Sequence, residues 1–202
     1  MSNLILDILD KTKLQRLRLS SIDCVEVDEN FNEVLKDQRV MPHLHLSIQS
    51  GDDMILKRMK RRHNSKDVFQ FVDRCKKIRK DISFGADIIA GFPTETDTMF
   101  ENTYKLLRDN EISHLHIFPF SPKNNTPASR MPQVSKSIIK KRAKILRDLG
   151  ELILKKVKSK LSLPREILIE ELNSGLAIGY DQNYIKHKVP LVGVPVGEVI
   201  RV

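Results

Sequence analysis

The sequence predicts an α/β fold in which parallel strands with helical crossovers are followed by a small antiparallel β-barrel. Strand-like and helix-like segments alternate over residues 14–120, and this alternation favours parallel strands. Beyond Pro164 the segments become short, apolar and punctuated by glycine, which is typical of a small antiparallel barrel. The predicted units are an α/β part at 1–133, a basic connecting helix at 134–163 and a small barrel at 164–202.

Four strands and four helices are expected in the first unit. The predicted strands are short runs whose apolar residues lie on one face or fill the run, and they cover residues 14–21, 43–49, 82–91 and 114–120. Apolar residues at helical spacing indicate the crossovers. The predicted helices cover residues 25–36, a short segment with a basic cluster at 57–62, a segment capped by Ser65, and a segment around Phe100, Tyr104 and Leu107.

The second half is expected to begin with one long helix over residues 134–161, whose apolar positions include Ile145 and Leu149. The strands of the small barrel are then predicted at 167–169, 176–178, 184–189 and 198–202. Four glycines separate them, which are Gly175, Gly179, Gly193 and Gly197.

Composition excludes several classes of protein. The 202 residues contain no apolar run near the ~20 residues that a membrane span needs. The first ten residues lack the basic start of a secretory signal. Cys24 and Cys75 lie far apart, without the spacing of a metal site or a disulfide framework. We therefore expect a cytoplasmic protein in a reducing compartment, with no membrane partner.

The net charge of +9 is concentrated in two places. Residues 134–160 contain ten Lys/Arg and two acidic residues, so this segment alone carries +8. The second cluster is Lys57, Arg58, Lys60, Arg61 and Arg62. Such clusters suit a phosphate backbone, but a solvated helix face explains each of them as well. Both interpretations stay open on charge alone.

The stretch ADIIAGFPTET, residues 86–96, places an acid inside a strand and a sharp turn at its end. In parallel α/β folds ligands bind where the strands end, and glycine lets the backbone approach a ligand closely. Asp87 is expected to face a polar interior or a ligand, and Gly91 to serve either a ligand or a structural turn. Ser47 and Gln49 end another strand, on the same face as His43 and His45.

Two His-x-His pairs, His43/His45 and His114/His116, each project from one face of a strand. Four imidazoles could meet at a metal ion if the strands were neighbours. No carboxylate or thiolate follows at ligand spacing, and histidines that line a barrel or form hydrogen bonds are commoner. No metal ligand is predicted.

Five blocks of sequence resemble a known family. They read LRLSSID (17–23), PHLHLSIQSGDDMILKRMKRRH (42–63), ADIIAGFPTET (86–96), HLHIFPFSPKNNTPASRMP (114–132) and GYDQNYIKHKVP (179–190). The first four resemble the methylthiotransferases of the radical SAM superfamily, and the last is similar to the TRAM domain that ends those enzymes. LRLSSID and MKRRH are most similar to the subgroup that methylthiolates N6-threonylcarbamoyladenosine beside the tRNA anticodon.

The resemblance implies a partial (β/α) barrel that binds S-adenosylmethionine at its strand ends. The cofactor-binding residues that it implies are Ser47, Gln49, Asp87, Ile89 and Gly91. It also implies that the TRAM-like barrel holds tRNA, with phosphate contacts from the basic cluster on another side. The RNA-binding candidates are Lys60, Arg61, Arg62, Tyr184, Lys186 and Lys188. Tyr184 is expected either to stack on a base or to lie in a core.

The sequence departs from the family in two ways. The smaller departures are changes near residues 123–125 and 162–164, and the larger one is the number of cysteines. The family holds two 4Fe-4S clusters, each on three cysteines, and this sequence has two cysteines in all. The resemblance therefore implies a C-terminal fragment that is inactive alone and has no catalytic residue of its own. A separately encoded N-terminal half is the partner expected to supply the clusters. An RNA-binding module and a non-functional fragment of a split gene are the alternatives.

Overall fold

The computed structural model describes residues 1–161, 164–190 and 193–202. Its helices are α1 (Ser2–Lys11), α2 (Phe31–Lys36), α3 (Asp53–Arg58), α4 (Ser65–Ile78), α5 (Asp97–Asp109) and α6 (Lys136–Lys160). Its strands are β1 (Leu17–Ile22), β2 (Val40–Gln49), β3 (Ser83–Ala90), β4 (Ile112–Pro119), β5 (Glu166–Asn173), β6 (Leu176–Tyr180), β7 (Lys186–Pro190) and β8 (Val199–Arg201). A short 3-10 helix covers Pro127–Arg130. The sequence differs from the family near residues 162–164. Of these three residues only Pro164 belongs to the described part of the chain, and residues 162 and 163 lie outside it.

The first sheet has the strand order β1-β2-β3-β4, with every pair parallel. One face is apolar because alternate side chains of each strand point to the same side. Leu44, Leu46, Phe84 and Ile88 lie on that face and are at most 1% exposed. They share one core with apolar residues of α1, α2, α4, α5 and α6. The parallel α/β prediction is confirmed.

The second sheet is antiparallel, with the strand order β7-β6-β5-β8. Its core is small: Ile167, Ile169 and Ala177 are its fully buried members. Within the described residues β7 and β8 are its edges, so the strands form half a barrel and not the closed barrel that was expected.

Three local features differ from the sequence-based expectations. Helix α2 begins at Phe31, because the residues before it form turns in which the Asp23 carboxylate accepts a hydrogen bond from the Val25 N–H. Helix α4 is capped by Asn64 and not by Ser65, since Asn64 and Asp67 satisfy each other's backbone N–H groups. Helix α1 was not anticipated.

Among the helices that the structure describes, none combines the length and the apolar character needed to cross a membrane. Helix α6 is long enough at 25 residues, but charged side chains occur along its whole length.

Candidate functional site

The face of the first sheet that is opposite its core carries most of the chemistry. We call this surface the polar face; it is formed by Arg18, His43, His45, Ser47, Asp87, His114 and His116. Strand β3 lies between β2 and β4, so the two His-x-His pairs meet across it. The sequence showed the pairs but did not show that their strands flank the same strand.

Asp87 sits at the centre of the polar face. Its Oδ1 forms a hydrogen bond with His45 Nε2 at 3.0 Å, and His116 Nδ1 lies 3.2 Å from the same oxygen. Burial lowers the pKa of His45, and the hydrogen bond to Asp87 opposes that shift. Gly85 makes room for this arrangement, since a Cβ there would lie 2.6 Å from His45 Nδ1. Asp87 therefore contacts polar side chains of the sheet, and a contact between Asp87 and a ligand stays a prediction.

The other histidine pair lies nearer the start of the strands. His43 Nδ1 is 2.9 Å from Ser83 Oγ, and His114 Nε2 donates to the Tyr184 carbonyl at 3.1 Å. Burial lowers the pKa of His43 well below its usual value and that of His114 to about 4. Both imidazoles are therefore neutral near pH 7, and both serve contacts within the protein.

The turn after β3 has a structural explanation. Gly91 has a φ of +74°, and its N–H donates to Glu95 Oε2 at 2.7 Å. A Cβ at Gly91 would lie 2.5 Å from Ile139 Cγ1 on α6. Arg142 of α6 donates to the Glu95 carbonyl at 3.0 Å and to Asp97 Oδ1 at 2.7 Å. The glycine and the acid therefore allow α6 to pack against this turn.

The remaining cofactor candidates lie at the ends of two neighbouring strands. Ser47 and Ile89 are partly exposed, and Gln49 is buried with a φ of +66°. Gln49 pairs with Ile88 across the β2–β3 ladder. The structure thus brings Ser47, Gln49 and Ile89 together at the carboxyl ends of β2 and β3, where parallel α/β folds bind ligands.

The basic clusters are only partly available to a partner. Lys60 and Arg61 are exposed, and Arg62 is exposed while it forms an ion pair with Glu26. On α6, Lys156 and Lys160 both pair with Glu111. Several other α6 cations remain exposed, which are Lys136, Lys140, Lys141, Lys144, Lys155 and Lys158. Lys186 and Lys188 are exposed on alternate positions of β7.

Tyr184 contacts the first sheet from the loop between β6 and β7. Its ring stacks against Tyr180 at 4.6 Å and His43 at 5.6 Å between centroids. The Arg18 guanidinium carbon lies 3.4 Å from the ring centroid. These are the contacts expected if Tyr184 is a packing residue; base stacking by this side chain stays a prediction.

Asn183 fixes the same loop, and sequence reasoning missed it. Its Nδ2 donates to the Pro42 carbonyl at 3.0 Å and to the Asp81 carbonyl at 2.7 Å. Its own carbonyl accepts from Ser83 Oγ at 3.2 Å. Asp181 shapes the loop, since its Oδ1 accepts from the N–H groups of Asn183 and Ile185. A single polar residue in a loop has no periodic pattern that could have revealed this role.

The first sheet is parallel and has a polar face, and its strands end in loops. This arrangement is typical of α/β folds that bind a ligand at the carboxyl ends of their strands. A family model described as the radical SAM superfamily matches residues 5–107, which is half of the chain. The chain belongs to the radical SAM superfamily. A solved structure of coproporphyrinogen III oxidase from Escherichia coli, described as a radical SAM enzyme, resembles 74% of this chain and 36% of its own, with 17% identity and a TM-score of 0.57.

Two curated relatives share more of the sequence. The threonylcarbamoyladenosine tRNA methylthiotransferase of Rickettsia prowazekii is 50% identical over 183 residues, which cover 88% of this chain and 42% of the relative. The protein of the same name from Thermotoga maritima is 41% identical over 187 residues, or 91% of this chain and 43% of the relative. The chain therefore spans less than half of the length of these relatives.

The residues present do not fit an iron–sulfur cluster. Cluster ligands are thiolates, and the two cysteines lie on different elements, Cys24 after β1 and Cys75 inside α4. Burial raises the pKa of each thiol to about 12. Both cysteines are therefore protonated near pH 7, and no reaction step is assigned to a cluster on this chain.

Proposed function

We propose that this chain is the C-terminal part of a tRNA methylthiotransferase that acts on threonylcarbamoyladenosine. The observation that carries the proposal is the 50% identity to the Rickettsia prowazekii enzyme over 88% of this chain. The expectation from the sequence blocks pointed to the same substrate and rests on the same residues.

S-adenosylmethionine is the proposed cofactor, and it would supply the methyl group and the radical precursor. In the proposal Ser47, Gln49 and Ile89 contact S-adenosylmethionine, since these residues lie at the carboxyl ends of neighbouring strands, where ligands bind. Gly91 contributes by shaping the turn, because its N–H is already bonded to Glu95. Asp87 contributes by holding His45 and His116 on the polar face.

The iron–sulfur ligands have to come from outside this sequence. Strand β1 is an edge of the parallel sheet, and an edge strand offers unpaired backbone groups to a further strand. We propose that an N-terminal half docks beside β1, completes the barrel and brings the clusters. The chain alone is then inactive as a methylthiotransferase.

RNA binding is assigned to the second sheet and to the basic surfaces. In this proposal residues 164–202 form a TRAM-like domain, residues 134–163 connect it to the half-barrel at 1–133, and the enzyme works in the cytoplasm on tRNA. Lys186 and Lys188 supply phosphate contacts from β7, as do Lys60, Arg61 and Arg62 after α3. Exposure of all five cations is the supporting observation.

A second candidate function is RNA binding without catalysis. It is favoured by the same exposed cations together with the shortage of cysteines. A non-functional fragment is the remaining alternative, and it predicts neither tRNA binding nor complementation.

Complementation tests the proposal. The chain would be combined with the N-terminal half of the Rickettsia prowazekii relative, reconstituted without oxygen with iron and sulfide, and supplied with S-adenosylmethionine and tRNA. We expect methylthiolated threonylcarbamoyladenosine by mass spectrometry of the nucleosides, and none from either half alone. No product from the pair, while the full-length relative is active, would contradict the proposal. Retained tRNA binding would then favour the RNA-binding module.

A further inference from the structure

A second cluster of ligand-type side chains lies away from the polar face. Asp23 and Cys24 directly follow β1, and His63 lies in the turn between α3 and α4. One ligand atom from each of the three lies within 4.8 Å of the others. His63 is 39 residues beyond Cys24 in sequence (63 − 24), so the spacing of the cysteines did not show the cluster.

The histidine of this cluster has a buried nitrogen without a hydrogen-bond partner. His63 is 3% exposed, and its Nε2 lies 3.0 Å from the Ile48 carbonyl oxygen. A carbonyl can only accept, so Nε2 carries a hydrogen, and Nδ1 is the nitrogen that can offer a lone pair to a cation. Among the described residues Nδ1 has no hydrogen-bond partner, and it lies 3.3 Å from Asp23 Oδ1. Two potential ligand atoms thus face each other.

A cation between His63 Nδ1 and Asp23 Oδ1 could bind to both atoms. Tetrahedral zinc binds nitrogen and oxygen at about 2.0–2.1 Å, which separates neighbouring ligand atoms by about 3.3 Å. The observed 3.3 Å between His63 Nδ1 and Asp23 Oδ1 matches that edge. Ligating histidines usually donate their other N–H to a carbonyl or carboxylate, as His63 does to Ile48.

The cluster on the polar face is different. His45 and His116 each reach the same oxygen of Asp87, and both rings can donate to it. Nε2 of His45 is hydrogen-bonded to Asp87, and the His116 side chain is 63% exposed to solvent, so neither of these two nitrogens is a buried ligand atom without a partner. No metal ligand was predicted for the His-x-His pairs, and the polar face gives no reason to add one.

We propose that Asp23, Cys24 and His63 form a binding site for a divalent transition metal of the zinc class, with a fourth position left to water or another ligand. The site does not rest on the proposed function. It would tie the end of β1 to the turn before α4, beside the edge where the N-terminal half is proposed to dock.

Binding would change the protonation of the cysteine. Burial and the Asp23 carboxylate raise the pKa of the Cys24 thiol to about 12 in the metal-free chain. Coordination forms a metal–sulfur bond to the thiolate and releases the thiol proton to the buffer, so affinity should rise with pH.

The test is a titration of the full chain, cleared of metal with a chelator, with Co²⁺ as a spectroscopic probe of a zinc site. We expect one Co²⁺ per chain, d–d bands of a tetrahedral site and a thiolate-to-cobalt band, all displaced by Zn²⁺. Cys24→Ser should remove the thiolate band and weaken binding at least tenfold, since removing even a group that only supports a ligand costs about 10–100-fold.

Two matched variants keep the test decisive. Cys75→Ser and His116→Ala should leave the spectrum unchanged, because Cys75 lies in the core and His116 belongs to the other cluster. Asp23→Asn is the second ligand variant if Cys24→Ser fails to fold, as judged by circular dichroism. Absence of a cobalt spectrum from the unaltered chain would overturn the proposal. So would binding that survives both ligand variants or that is lost with His116→Ala.

Discussion

The two sheets are stabilised in different ways. The parallel sheet shares a large apolar core with five helices, whereas the antiparallel sheet buries only Ile167, Ile169 and Ala177 completely. A core of that size rarely supports a domain. The second sheet instead relies on a polar loop, in which Asn183 and Tyr184 contact the first sheet. The proposed RNA-binding unit is therefore coupled to the proposed cofactor-binding unit through a few buried polar contacts.

The largest expected effect comes from the large core. Phe84→Ala removes a ring that is 1% exposed and should cost about 3–5 kcal/mol of the free energy of unfolding. Both sheets should lose protection from hydrogen exchange together. The reason is that Ser83, which donates to the Asn183 carbonyl of the second sheet's loop, is next to Phe84 in the chain. Hydrogen exchange followed by mass spectrometry, read separately for β1–β4 and β5–β8, measures this.

The matched change in the small core is Ile167→Ala, at a residue that is 0% exposed. We expect it to deprotect β5–β8 while β1–β4 stay protected, since the large core does not depend on it. Equal loss of protection in β2 and β3 would show that the two sheets unfold as one unit and would end the comparison drawn above.

Asn183→Ala tests the docking loop. It removes the donor to the Asp81 carbonyl and one of two donors to the Pro42 carbonyl, which also accepts from Ser83 Oγ, and should cost about 1–3 kcal/mol, the cost of one buried unsatisfied group. The expected result is faster proteolysis of the second sheet, with the first sheet left intact. Asn173→Ala is the control because Asn173 is exposed. Unchanged proteolysis would mean that the contacts of Tyr184 are enough to hold the second sheet against the first.

The docking should also depend on pH. The folded state lowers the pKa of His114 to about 4, so the unfolded state binds a proton more readily between pH ~6.5 and ~4. Stability is present above that window and is lost as pH falls through it, by roughly 1 kcal/mol or more. His114→Gln keeps a donor for the Tyr184 carbonyl and should reduce the slope of unfolding free energy against pH. His43 contributes a slope of the same sign, so some slope should remain.

His116→Asn is the control for this pH experiment, because its side chain is 63% exposed. Thermal unfolding midpoints measured across the window would report both variants. A slope that His114→Gln leaves unchanged would assign the pH dependence to other groups.

The smallest expected effect on stability belongs to the exposed lysines. Lys186→Ala with Lys188→Ala should leave unfolding unchanged, since surface substitutions usually stay within ~0.5 kcal/mol. The same pair should lower the slope of log K for tRNA against log salt by about 0.7–0.9 for each phosphate that the protein no longer neutralises. Filter binding at several salt concentrations measures it, and Lys36→Ala is the control because Lys36 is exposed on α2 and lies outside both basic clusters. No salt dependence in the unaltered chain would remove the RNA proposal.

The sequence predicted the elements better than their contacts. Strands β2 and β3 were readable because residues 43–49 alternate between polar and apolar side chains, residues 82–91 are mainly apolar, and each run ends in a turn. The position of Asp87 on a polar face followed from the alternation of side chains along a strand. The reason for Gly91 did not, since it depends on Ile139 of a helix far along the chain. Contacts of this kind depend on the order of strands and helices in space, which a local pattern does not contain.

The same limit applies to the polar clusters. His63 lies next to Asp23 and Cys24 only because the turn before α4 packs beside the end of β1. Asn183 reaches Pro42 and Asp81 across more than a hundred residues. Local sequence patterns revealed neither set of contacts, because each joins segments that lie far apart in the sequence.

The central claim is that this chain supplies a cofactor-binding wall and an RNA-binding surface but holds no iron–sulfur cluster itself. The most direct measurement is the iron and acid-labile sulfide content of the purified chain after anaerobic reconstitution, together with its visible spectrum. We expect neither bound sulfide nor a sulfide-to-iron charge-transfer band, because the two cysteines lie on separate elements and are too few to supply the three thiolates that each cluster of the family needs. Stoichiometric iron and sulfide with that band would contradict the claim.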